Sequence, residues 1–151
     1  MTREIIEESY IYFAKRFYSH TLAYWKSWWL SQGYSEEDVT SWVNADREVK
    51  IGETASYTTR RNNLRYQDGI NIALRVKFMG TKEERMFIES YIRTKYSMNR
   101  NMIHHGNDYF TCSNSNTIKG AERKFFDYVS EGFAMLSTIK GKQYDYACEV
   151  I

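Results

Sequence analysis

A chain of 151 residues that is 42% hydrophobic and 26% charged has the composition of one folded domain, which excludes a disordered or membrane-embedded polypeptide. Its formal net charge of +2 is too small to mark a nucleic-acid binder by itself, so such a role has to come from how charge is distributed. Cys112 and Cys148 form no CxxC pair and no apolar run has membrane-spanning or signal-peptide length; a cytoplasmic protein with no metal, no cofactor and no membrane partner is expected.

In chain order, residues 2–32 read as one long helix with Thr2 as N-cap and Glu4, Glu7 and Glu8 in its first turns. Ile6, Tyr10, Phe13, Phe17, Tyr24 and Trp28 recur at three- and four-residue steps, and His20 falls in the same stripe, either as a core histidine or as a catalytic one. Trp25 and Trp29 lie off the stripe, so this helix needs a second apolar partner, and a symmetric dimer is the economical one. Gly33 ends it. Ser35 then looks like the N-cap of a short helix through Trp42 and Val43, and residues 44–63 read as a loop with room for one helical turn, with Arg60 and Arg61 either a basic spot or an exposed helix start.

Leu64, Ile70, Leu74 and Phe78 suggest a further helix over 64–79, weakened at Gly69 and stopped at Gly80. Thr81 and Glu84 fit a capping box that opens the next helix, with Met86, Phe87, Tyr91 and Ile92 toward the core. Residues 107–119 read as a loop. A last helix carries Phe125, Val129, Phe133 and Leu136 as its buried row and ends at Gly141. The expected fold is therefore all-α, one domain built as an antiparallel bundle of four to five helices, helped by the absence of proline.

Residues 98–108 concentrate the chemistry. Arg100 offers a guanidinium fork that matches phosphate, and His104 and His105 offer groups that exchange protons near neutrality. On a helix Arg100 stands over His104 and Asn101 over His105, while Arg100 and His105 diverge unless the helix breaks or a second copy faces the first. Capping of helix-end carbonyls and pairing with Asp108 is the plain structural alternative.

The run Arg100-Asn101-Met102-Ile103-His104-His105-Gly106 resembles the RNxxxHG signature of the HEPN-domain superfamily, small all-α proteins in which the motif is a ribonuclease site. The resemblance implies metal-independent RNA cleavage by attack of a 2′-hydroxyl, with His105 moving protons, Arg100 neutralising phosphoryl charge and Asn101 orienting the histidine or a phosphate oxygen. His104 and Asn99 are auxiliary candidates, and Arg93 and Lys95 are RNA-binding ones. It also implies a homodimer with a composite cleft, and a toxin or antiviral effector restrained by an antitoxin or held in a larger defence complex. The alternative is a HEPN-like module without catalysis that binds RNA or protein.

Overall fold

The computed structural model describes residues 4–16, 22–39, 48–105 and 109–151, with the backbone alone of 22–26, 105 and 115. His20, Phe17, Trp42, Val43, Gly106 and Asp108 of the sequence reading lie outside those residues. The elements are β1 (Glu7–Arg16), α1 (Leu22–Ser31), β2 (Glu48–Thr54), α2 (Tyr57–Asn63) running into a wide π-helical turn (Leu64–Asp68), β3 (Ile70–Gly80), α3 (Lys82–Ser97), β4 (Met102–His105), β5 (Tyr109–Cys112), α4 (Ser115–Lys140) and β6 (Tyr146–Val150).

The expected all-α bundle is overturned: six strands form one antiparallel sheet in the order β4-β5-β2-β1-β3-β6, and the fold is α+β. The long first helix is instead β1 followed by α1. The cause of the misreading is legible, since a four-residue step satisfies both the helical period and the strand period of two. β1 is also buried on both sides, so its run from Tyr10 to Ala14 is apolar at odd and even positions alike. β3 shows plain alternation, with Ile70, Ile72, Leu74, Val76 and Phe78 buried, and Gly69 at φ +64° closes the π-helical turn before it.

α3 and α4 cover one face of the sheet and enclose the main core of Ile11, Phe13, Val49, Ile51, Leu74, Val76, Phe78 and Phe110 with Ile88, Ile92, Phe125, Val129 and Phe133. Phe13 and Phe125 meet edge to face at 5.8 Å, and the buried Tyr96 hydroxyl donates to the Ala121 carbonyl at 2.6 Å. The capping box at Thr81 and Glu84, the buried row of the last helix and its arrest at Gly141 all stand as read from sequence. The face of α3 stands in part: Ile92 is buried and Phe87 packs against the core as read, but Ile88 and Tyr96 also point inward and Met86 is 52% exposed.

On the opposite face a smaller core joins Tyr12, Ala14, Leu64, Ile70 and Ile72 under α2 and the π-helical turn. Where described, residues 44–63 supply β2 in place of the expected loop, and the helical turn allowed there is α2. The tail also has structure, because β6 pairs with β3 from Phe78↔Tyr146 to Leu74↔Val150.

Candidate functional site

α3 stops at Ser97, and the chain reverses before β4. Asn99 builds that reversal: its backbone N–H donates to the Tyr96 carbonyl at 3.0 Å, its side-chain oxygen accepts the Asn101 N–H at 2.9 Å, and its carbonyl accepts the Met102 N–H at 3.1 Å. The Asn101 carbonyl in turn accepts the Ser113 N–H at 2.9 Å, which ties the turn to the end of β5. Arg100 and Asn101 are exposed on this turn.

β4 then pairs antiparallel with β5 in the register Met102↔Cys112, Ile103↔Thr111, His104↔Phe110 and His105↔Tyr109. Met102 and Cys112 enter the core, while His104 is exposed with its ring 4.9 Å from that of Phe110. The motif therefore does not lie on a helix, and the expected stacking of Arg100 over His104 and of Asn101 over His105 is overturned. Extended chain advances about 3.3 Å per residue against 1.5 Å in a helix, and tandem strand positions do not share a face.

Arg93 and Lys95 lie on α3, away from β4 in sequence and spent on local pairs. Arg93 contacts Glu89 at 3.1 Å, and Lys95 reaches Glu131 of α4 at 3.7 Å while lying over the Tyr91 ring. Neither thiol is disposed to act as a nucleophile. Burial pushes Cys112 up to about 11 and also raises Cys148. Among the described residues no three His, Cys, Asp or Glu side chains gather as metal ligands, and no helix is long and apolar enough to cross a membrane.

What the motif reading missed lies across the ladder from it. Lys50 of β2 pairs with Tyr109 of β5, and its ammonium stands 4.8 Å from the Tyr109 ring centroid. On the same face the register continues through Gly52 and Tyr12 to Arg75. Arg75 lies 4.6 Å from the Tyr57 ring, Arg61 lies 6.0 Å from it, and Arg60 donates to the Tyr12 hydroxyl at 3.3 Å. The alternation of Glu48-Val49-Lys50-Ile51 was the available signal, but pairing it with Tyr109 requires the sheet.

The geometry defines an α+β protein whose open sheet face mixes tyrosines with lysines and arginines. No family model, curated protein or solved structure matches the chain.

Proposed function

We propose that this chain holds single-stranded RNA at the β2–β5–β4 end of its sheet. The observation that carries the reading is Lys50 over Tyr109 on the face away from α3 and α4, with a turn carrying exposed Arg100 at the same end of the sheet. Cations meet the phosphates and flat rings meet the bases in binders that tolerate many sequences. Retention is favoured over cleavage because proton transfer in both directions needs two suitable groups around one ribose phosphate, and adjacent positions of a strand diverge.

The second reading is the metal-independent endoribonuclease using Arg100, Asn101 and His105. It is favoured by the exposure of Arg100 and Asn101 at a strand edge that a second copy can approach. In that reading a homodimer completes the site, an antitoxin or defence complex restrains it, and the protein works in the cytoplasm.

Labelled single-stranded RNA, mixed with the full chain in EDTA, separates the two. Retention shifts the RNA intact, and Lys50→Ala weakens the shift about tenfold, as loss of a cation held over the ring that meets a base should. Cleavage to 2′,3′-cyclic phosphate ends that disappears in Arg100→Ala and His105→Ala establishes the nuclease instead. Failure of the wild type to shift or cut RNA rejects both.

A further inference from the structure

β6 closes the sheet at the end away from β4, and among the described residues no strand lies beyond it. Its register with β3 sets which of its backbone groups are left over. Leu74 faces Val150, and the Ile151 N–H donates to the Ala73 carbonyl at 2.9 Å, which marks Leu74↔Val150 as a pair that exchanges no bonds of its own. The phase alternates along the ladder, so Ala147 and Glu149 bond to β3, while Tyr146, Cys148 and Val150 turn their N–H and C=O groups outward. The strand reads Tyr-Ala-Cys-Glu-Val, with no lysine, proline or bulge to discourage pairing. Cys148 is exposed, and Val150 is 77% exposed.

We propose that β6 is an interface with a second copy of this chain, the two strands pairing antiparallel about a two-fold axis at Cys148. Only registers that set outward-facing residues against each other form bonds, and such registers differ by steps of two. An axis at Ala147 puts Asp145 opposite the partner's Glu149, and an axis at Glu149 puts the two Glu149 carboxylates opposite each other. Like charges so placed repel. The axis at Cys148 instead sets Tyr146 against Val150, an aromatic with a β-branched residue, Ala147 against Glu149 and Cys148 against itself, with no like charges opposed. Axes at Tyr146 or Val150 shorten the shared ladder.

Charge beyond the edge agrees with this register. On the open face Lys77 of β3 lies beside Ala147, and Arg75 lies beside Glu149. Across the axis each Glu149 looks over the small Ala147 side chain toward the partner's Lys77, two strand spacings or about 10 Å away between backbones, within the joint reach of the two side chains. Both keep exposed surface beside their bonds within the subunit, Lys77 to Glu8 and Glu149 to Arg75. A two-fold axis closes the assembly at two copies. A five-residue edge buries less than a standard interface, so the association is weak and shows at high concentration. It lies at the opposite end of the sheet from the Lys50–Tyr109 pair and rests on neither reading of that site.

The full chain, free of RNA, is followed by sedimentation velocity from micromolar to near-millimolar concentration. The expected result is a monomer–dimer equilibrium that stops at two. Ala147→Glu opposes two carboxylates twice per dimer and raises the dissociation constant at least about tenfold, whereas Ala147→Lys answers the partner's Glu149 and lowers it. Position 147 is exposed, so both variants keep the fold. Ile103→Glu, exposed on β4, leaves the equilibrium unchanged. A short bismaleimide joins wild-type subunits through Cys148, because Cys112 is buried, and the link is lost in Cys148→Ser. A chain that stays monomeric, growth beyond two subunits, a dimer indifferent to Ala147→Glu or weakened by Ala147→Lys, or one lost in Ile103→Glu would overturn the proposal.

Discussion

Gly52 shows how one absent side chain fixes a face of the sheet. It pairs with Tyr12 across β1 and β2, and a Cβ built at Gly52 would overlap the Tyr12 ring. The ring therefore lies flat over the glycine backbone, fully buried, and offers its hydroxyl to Arg60. A methyl group at position 52 has to push the ring away and with it α2, the element that carries Arg60 and Arg61. Gly52→Ala is expected to cost about 1–3 kcal/mol, the usual penalty of overpacking. Urea unfolding of a double-mutant cycle checks the cause: in a Tyr12→Leu background the same substitution should cost less by more than about 0.5 kcal/mol. Additive losses would mean that the glycine is needed for another reason.

Within the elements, β3 explains both what the sequence disclosed and what it concealed. Phe13 pairs with Leu74 and Ala14 with Ile72, so Ala73 is the extra residue of a β-bulge. Leu74 then joins the helix-side core and Ile72 the opposite one, although both sit at even positions of one alternating run. Periodicity announces a strand here to a reader who looks for two, but it cannot say that the strand changes faces midway. Helix ends were easier, because the Thr81–Glu84 box and Gly141 act through neighbours in sequence. Deleting Ala73 should leave a folded protein, since Leu74 and Ile72 become true neighbours and keep their present partners. The loss should be about 1 kcal/mol, chiefly the bond from the Ile151 N–H to the Ala73 carbonyl at 2.9 Å. Deleting Lys77 instead turns Phe78 out of the core, and cooperative thermal unfolding should vanish. Equal outcomes for the two deletions would contradict the bulge.

At the scale of the whole molecule, the candidate sites and the closure of the fold both depend on contacts remote in sequence. The heptad around Arg100 was visible as a cluster of chemistry, but its geometry belongs to a turn and an edge strand that only the ladder with β5 defines. Glu84 plays the corresponding part for stability. It caps α3 through the Thr81 N–H at 2.9 Å, accepts from the Tyr144 hydroxyl, and meets Lys142 at 3.1 Å, so it fastens the segment leading into β6 to the start of α3. Burial alone would raise its carboxyl, but the hydrogen bonds from Tyr144 and Thr81 and the Lys142 charge outweigh burial and hold it below the ordinary value of 4.5. Because the folded value lies below the unfolded one, this contribution is complete above pH about 4.5 and is lost as pH falls toward the folded value. Thermal denaturation of Glu84→Gln should therefore show a lower midpoint than wild type near neutrality and a gap that narrows steadily on acidification below that point. Tyr144→Phe should narrow the gap partway, because the Lys142 and Thr81 contacts remain. A gap independent of pH would assign the loss to packing rather than to the carboxylate, and the clasp would then be steric.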